Sequence, residues 1–432
     1  MTQPAADIAA RAAALAILDG VFTRTRSVDD LFDAATGALE PRDRAFVRLL
    51  VATVLRRFGQ IELVLGNFVE RRPPDRVNMI LRLGAAQLLF LGTPAHAAVA
   101  TSVALVKKES ERHGGLANAV LRRVAEKGPE LLAAQDAPAV NTPLWLWKSW
   151  VAAYGEPAAR ATAEAHLKEA PLDLTLKTPS DAAWAQRLGA QVLPTGTLRR
   201  PAGGRIQDLE GFQEGGWWVQ DAAAALPAKI LLHALQSPAG KQVIDLCAAP
   251  GGKTAQFAAA GCKVTSVDVS APRLDLLRAN LKRLNLAAEI VTADAADWRP
   301  QTLADAVLLD APCSATGTLR RHPDLPYLKR AADIAGMVTL QTKLLTAAAA
   351  MVKPGGMILY SVCSLQPEER RAVVEAVLAA DPQLARLKIP AEAVGGESQF
   401  IDHKGELRTL PSQWPELGGL DGFYAALLQR SE

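Results

Sequence analysis

The sequence predicts a multidomain protein: an all-α bundle, then a small α+β segment, then an α/β domain built on a doubly wound, mostly parallel sheet. Three observations carry this reading. The chain has 432 residues, more than one compact core accommodates, so two or three domains are expected. Apolar residues recur at helical spacing from Ile8 to about Leu132. From Trp217 onward, short apolar runs alternate with helical stretches, the rhythm of βαβ units.

Taken in order, Ile8, Leu15, Leu18 and Phe22 share one helical face. Pro41 opens a helix with Phe46, Leu49, Leu50 and Val54 inward and Arg42, Arg44, Arg48 and Arg56 mostly outward. Val77, Ile80, Leu81 and Leu88 follow the break at Pro73-Pro74. Val99, Val103, Val106, Leu116, Val120 and Leu121 complete a bundle of six or seven helices. Residues 1–130 hold 18 Lys/Arg against 14 Asp/Glu; these arginines suit phosphate binding and an ordinary solvated face equally well. Ala133 to Pro143 is polar and proline-bearing, a linker. Leu144 to Leu167 is helical and aromatic, with Trp145, Trp147, Trp150 and Tyr154. An exposed tryptophan can stack bases, but in a small domain it is more often core. Alternating Leu172, Leu174 and Leu176 predict a strand, Asp181 to Leu188 a helix, and strands near Val192 and Ile206 close the segment at about Gly216.

Apolar residues at 49% and charged residues at 22% are those of a globular protein. The N-terminal stretch has no basic start, and Asp7 and Arg11 interrupt its apolar run, so an amphipathic helix is expected, not a signal peptide or membrane anchor. Cys247, Cys262, Cys313 and Cys363 form no CxxC pair and have no nearby His pair, which predicts no zinc or other metal site. Their lack of pairing suggests a reducing compartment and a cytoplasmic protein with no membrane partner. A formal charge of +3 is compatible with nucleic acid without demanding it.

In the α/β domain, strands are expected at Gln242–Leu246, Lys263–Asp268, Ala288–Thr292, Ala306–Asp310 and Gly356–Tyr360. The first runs into Cys247-Ala248-Ala249-Pro250-Gly251-Gly252-Lys253-Thr254. Glycines there let the backbone approach a ligand and open the next helix. A P-loop would need another glycine where Cys247 stands, and the dinucleotide fingerprint GxGxxG is absent. Asp268, ending the second strand, can accept from both hydroxyls of a ribose. Asp294, after the third, can accept from an adenine amino group. An adenosine-bearing ligand without a phosphate loop points to S-adenosylmethionine.

Asp310 ends the fourth strand, followed by Cys313; Cys363 follows the fifth. Carboxyl ends of strands are where ligands sit in such sheets. Carbon 5 of cytosine is a poor nucleophile until a thiolate adds to carbon 6, and cysteine is the side chain most able to make that addition near neutral pH. An acid near ring N3 stabilises the adduct, and Asp310 is the candidate. The second thiol assists loss of the carbon-5 proton and release. Methyl transfer to an exocyclic amine needs no thiol. The residues alone leave the two cysteines unranked.

The motifs DLCAAPGGKT, VDVS, TADAAD, LLDAPCSATGTLRRHPD, YSVCS and Asp421-Gly422-Phe423-Tyr424 together resemble the RNA cytosine-5 methyltransferases, most closely the RsmB (Sun/Fmu) family that methylates 16S ribosomal RNA. The resemblance spans nearly the whole chain. It implies a NusB-like RNA-binding domain over residues 1–135, a small ferredoxin-like α+β domain over 141–216, and a Rossmann-like S-adenosylmethionine-dependent methyltransferase domain over 217–432. By position, Cys247 to Lys253 would wrap the methionine part of the cofactor, Asp268 the ribose and Asp294 the adenine, while Asp310 would touch cofactor and base. Cys363 would be the nucleophile and Cys313 would help release. Val362 replaces the family's usual Thr, Arg370 the Asn that often follows the Glu pair, and Leu174-Thr175-Leu176-Lys177 an Arg-Val-Asn-bearing strand. The implied partner is 16S ribosomal RNA, free or in an assembly intermediate, bound by a monomer. Its target base is flipped out or taken from a loop, and Arg320, Arg321 and His322 are candidates to meet phosphates. The alternatives are another rRNA or tRNA site, or a non-catalytic RNA-binding or antitermination factor; the presence of both cysteines and all the acids opposes the latter.

Overall fold

The computed structural model describes residues 4–178 and 181–432. The chain divides into two compact units. The first runs to Lys168 and takes in Leu319–Arg330; the second holds Glu169–Thr318 and Ala331–Glu432.

The first unit is helical, from Pro4–Arg24 to Glu156–His166. Leu15, Leu18, Leu50, Val54, Ile80, Leu81, Val106 and Leu121 are buried in one core. Local chemistry sets the helix starts. The Ser27 hydroxyl accepts from Asp30 N at 3.2 Å, and Pro41 occupies the first turn of Pro41–Arg56, where its missing N–H costs nothing. In that helix Val47, Leu50, Val51 and Val54 face the core at i, i+3, i+4 and i+7. Leu49, expected inward, lies one position off this stripe and is 44% exposed. The expected linker contains a short helix, Ala137–Asn141, with Pro138 in its first turn. Helices Leu144–Tyr154 and Glu156–His166, expected with the middle segment, fall in this unit. Trp150 is fully buried, its ring 5.3 Å from that of His166.

Leu319–Arg330, which follow the Cys313 stretch in sequence, are built into the same helical core. The Tyr327 ring lies 5.0 Å from Phe22 and 5.3 Å from Phe58, and its hydroxyl donates to Leu55 O at 2.8 Å. Asp324 Oδ2 accepts from Val28 N at 2.8 Å.

The second unit contains two sheets among the described residues. Strands β1 (Leu172–Leu176), β2 (Gln191–Val192), β3 (Leu198–Arg200) and β4 (Trp217–Val219) form an antiparallel sheet in the order β2-β3-β1-β4. The strand expected near Ile206 is instead a 3-10 turn, Ile206–Asp208; Gly203 and Gly204, both at positive φ, end the extended run before it. Asp173 on β1 and Arg199 on β3 form a buried ion pair at 2.6 Å. Burying both charges is tolerable because their remaining capacity is used: Arg199 also donates to Leu417 O, and Asp173 accepts from Ala222 N at 2.9 Å.

The larger sheet comprises β5 (Gln242–Leu246), β6 (Lys263–Asp268), β7 (Glu289–Thr292), β8 (Ala304–Asp310), β9 (Val352–Val362), β10 (Leu384–Leu387), β11 (Leu407–Arg408) and β12 (Tyr424–Arg430). Its order is β10-β12-β9-β8-β5-β6-β7, with β11 on β12. β5 to β9 pair in parallel, and β12 runs antiparallel to β9 and β10. Period-2 alternation gives both faces a core: Val307 and Leu309 pack on one side, Ala306 and Leu308 on the other. The order reverses between β5 and β8, and a ligand crevice opens at such a switch point. No helix among the described residues is long and apolar enough to cross a membrane.

Candidate active site

The register of β8 against β9 sets Asp310 opposite Ser361. Cys313 is therefore three residues beyond one strand-end partner and Cys363 two beyond the other, and their Sγ atoms meet at 3.5 Å. The two loops are laced by backbone hydrogen bonds. Ala311 N donates to Ser361 O at 2.9 Å, and Gly317 N donates to Cys363 O at 2.9 Å. Gly422 N, from the turn before β12, donates to Gly317 O at 2.8 Å. A Cβ on Gly317 would stand 2.0 Å from Gly422 O, so the crossing requires glycine.

Asp310, at the end of β8, has both oxygens engaged. The Lys253 ammonium donates to Oδ2 at 2.7 Å and the Ser361 hydroxyl to Oδ1 at 2.9 Å. Burial works against the Lys253 charge, yet the Asp310 carboxylate outweighs it and holds the ammonium above the usual lysine range. The Cys313 thiol is pushed well above its usual value by its hydrogen bond with Cys363, then by burial, the Cys363 sulfur and the Glu369 carboxylate. A thiol so raised is a donor near neutral pH.

The glycine turn follows β5. Cys247 is half-buried at φ +58, and burial pushes its thiol up to about 12. Ala248 and Ala249 are buried, Pro250 is exposed, and Gly251 holds φ +101 with Leu277 where a Cβ would be. Gly252 opens helix Gly252–Ala259. These residues line a cavity of about 310 Å³ together with Lys253, Asp310, Asp245, Trp218, Gln220 and Arg283. Asp245 is fully buried there; its Oδ2 accepts from the Thr254 hydroxyl at 2.6 Å, while Oδ1 has no hydrogen-bond partner among the described residues. Burial raises this carboxyl to about 7.

Asp268 and Asp294 sit at the ends of β6 and β7 but outside that cavity. Asp268 is buried and accepts from Ala249 N at 3.1 Å and Ser270 N at 2.9 Å, with Arg273 at 3.6 Å. The acid thus ties the glycine turn to the end of β6. Asp294 is exposed, its Oδ1 capping Ala296 N at 2.9 Å.

Two expectations need correction or addition. Arg320, offered as a phosphate contact, is 1% exposed within the helical unit, and its carbonyl accepts from Arg56 at 2.7 Å; a guanidinium so enclosed has no path to a surface phosphate. His322 is exposed, 3.6 Å from Asp29. Glu369 was not singled out from sequence, where it entered only as part of the Glu pair before Arg370. It is fully buried and accepts from Ser314 N at 2.8 Å, Gln341 Nε2 at 3.0 Å and both the Ser314 and Ser364 hydroxyls. Asp245, inside β5, was not singled out from sequence either, and only the fold shows it lining the cavity.

A family model described as 16S rRNA methyltransferase RsmB/F matches residues 232–429, and one described as the NusB family matches residues 8–126. A protein named ribosomal RNA small subunit methyltransferase B from Xanthomonas campestris pv. campestris is 36% identical over 99% of this chain and 98% of its own length. A protein of the same name from Vibrio vulnificus is 34% identical over 97% and 98%. Among solved structures, one titled PH0851 covers all of both chains with a TM-score of 0.75 at 22% identity, a likeness of fold. A methyltransferase homologue from Pyrococcus horikoshii covers 66% of this chain and 93% of its own at a TM-score of 0.53 and 25% identity.

Proposed function

The chain belongs to the RsmB/F family of ribosomal RNA small subunit methyltransferases, and we propose that it methylates carbon 5 of one cytosine in 16S ribosomal RNA through a transient bond to Cys363. The observation that carries this reading is the pair of thiols 3.5 Å apart beside the Lys253–Asp310 pair. A methyltransferase acting on an amine has no use for two converging cysteines.

The residues fit S-adenosylmethionine. The buried, unpartnered Asp245 Oδ1 faces a cavity of about 310 Å³, and such an acceptor favours a cationic guest. Cys247 to Lys253 and Asp310 would hold the methionine part, Asp268 the ribose and Asp294 the adenine. Asp268 keeps lone pairs for hydroxyls beyond its two backbone bonds. When bound, the cofactor supplies a sulfonium methyl as electrophile.

Cys363 adds as thiolate to carbon 6, and the former π electrons make carbon 5 nucleophilic. Lys253 and Asp310 provide the charged donor and acceptor for the ring edge that carries N3. After methylation the carbon-5 proton is lost to water, its bonding pair restores the ring double bond, and the carbon–sulfur bond breaks toward Cys363. The Cys313 thiol donates to the departing sulfur, a role its raised pKa preserves at neutral pH. Residues 1–135 supply RNA contact and 217–432 catalysis. Residues 141–216 lie between them in sequence, and the protein acts as a cytoplasmic monomer.

Bisulfite sequencing of ribosomal RNA from cells with and without the gene tests the target: one 16S cytosine should lose protection. In purified protein, Cys363→Ala should abolish methylation while cofactor affinity persists. Cys313→Ala should accumulate a denaturation-resistant protein–RNA adduct. Full activity of the Cys363 variant refutes the mechanism.

A further inference from the structure

We propose that Glu369 is the positioning residue of the cysteine pair, a buried carboxylate that holds the Cys313 loop in register with the Cys363 loop so that release can follow methyl transfer. The inference rests on the covalent mechanism above and concerns its last step.

Glu369 is 0% exposed. Enclosing a carboxylate is costly unless its oxygens are fully hydrogen-bonded. A carboxylate offers about four acceptor sites, and four donors reach this one: Ser314 N and Gln341 Nε2 on Oε1, and the Ser314 and Ser364 hydroxyls on Oε2. Each donor is tied to a catalytic loop. Ser314 adjoins Cys313 and Ser364 adjoins Cys363. Gln341, on helix Asp333–Ala349, spends its amide on Glu369 and on Pro312 O at 2.9 Å, one residue before Cys313. The two serine hydroxyls lie 3.0 Å apart, so a single carboxylate oxygen pins both loops at one point. Glu369 itself is fixed from behind, since the Tyr360 hydroxyl on β9 donates to its carbonyl at 2.6 Å.

The two thiols do not depend on Glu369 equally. Cys363 directly follows Val362, whose place is set by β9 and its pairing with Tyr424 on β12. Cys313 lies three residues past the end of β8, and the side-chain anchors nearest it on that loop are the Glu369 and Gln341 bonds, with Thr316 accepting from Leu365 N at 3.0 Å further on. Loss of the carboxylate should spare addition by Cys363 more than assistance by Cys313. Charge acts in the same direction. Glu369 contributes to holding the Cys313 thiol protonated, after the larger effects of Cys363 and burial, which keeps it a donor for the departing sulfur.

An apolar residue could fill this space and a neutral amide could bridge two hydroxyls. An amide cannot accept from four donors, since half of its polar end is itself a donor. Glu369→Gln is therefore the informative change, being nearly isosteric yet mismatched to Ser314 and Ser364. Ser364→Ala, which removes one donor and leaves the carboxylate, is the gentler companion if the first fails to fold.

The test is steady-state kinetics with cofactor and ribosomal RNA, combined with denaturing gels that detect adduct, on wild type, Glu369→Gln, Ser364→Ala and Cys313→Ala. We expect cofactor affinity and KM for RNA within about threefold of wild type. We expect kcat for Glu369→Gln to fall by about 30-fold or more, with adduct accumulating as in Cys313→Ala, and Ser364→Ala to shift both readouts the same way but less. Wild-type kcat in folded Glu369→Gln overturns the proposal, as does a kcat loss without adduct. If Cys313→Ala itself gives no adduct, the covalent reading above fails instead, and the two failures are told apart on one gel.

Discussion

At Asp245 burial opposes ionisation, and Thr254 and Lys253 recover only part of the cost, leaving the carboxyl near 7. In the unfolded chain the same group titrates near 3.8. A folded pKa above the unfolded one means that the group lends stability in full below the lower value and loses it as pH climbs through about 7. Cofactor-free protein should therefore be less stable at pH 8.5 than at pH 5.5 on this account. Asp245→Asn keeps the acceptor for Thr254 without the charge. Melting curves should show the variant stabilised relative to wild type at pH 8.5, by on the order of 1–3 kcal/mol, with the gap narrowing to about half at pH 5.5 and closing only below the unfolded value. A gap independent of pH would place the raised pKa elsewhere.

Among elements, the strands and turns of the catalytic half were legible and the stitching between them was not. Apolar runs such as Ala306–Leu309 announce a buried parallel strand, and Asp310, Cys313 and Cys363 fall where such strands end. Local pattern found the helix Asp181–Leu188 to the residue. It missed β12, and with it β10 and β11, short strands completed only by antiparallel pairing with β12, and it placed a strand near Ile206 where a 3-10 turn follows paired glycines. Glu369 was illegible because its four donors come from three separate stretches of chain. Gly317 and Gly422 were similarly mute, since their closeness is a matter of tertiary crossing. That crossing yields a graded expectation. A Cβ on Gly317 meets backbone at Gly422 O, which cannot yield, whereas a Cβ on Gly422 first meets the flexible end of Leu365 at 2.5 Å. Gly317→Ala should cost about 1–3 kcal/mol and most of kcat; Gly422→Ala should cost less in both. Denaturant midpoints and turnover for the pair check the order, and a milder Gly317→Ala would contradict it.

For the whole molecule, family membership and the two compact units agree on a helical front and a catalytic α/β half. The buried ion pair Asp173–Arg199 shows how the small sheet is integrated with the larger one: its arginine reaches the Leu417 carbonyl near the turn that carries Gly422, and its aspartate caps the helix Ala222–Leu235. The middle segment is therefore split in allegiance, helices to one unit and strands to the other.

The placement of Leu319–Arg330 has a consequence for dissection of this enzyme. The polypeptide passes from one unit to the other three times, after Lys168, after Thr318 and after Arg330, so no single cut yields two self-sufficient pieces. A fragment spanning 169–432 carries away the peptide that bears Tyr327 and Leu328 and strands those side chains in water without their aromatic neighbours. Such a fragment should aggregate on expression, and replacing 319–330 by a short glycine–serine bridge should restore solubility, as light scattering would report. A monodisperse 169–432 fragment would mean that this borrowed loop needs no host.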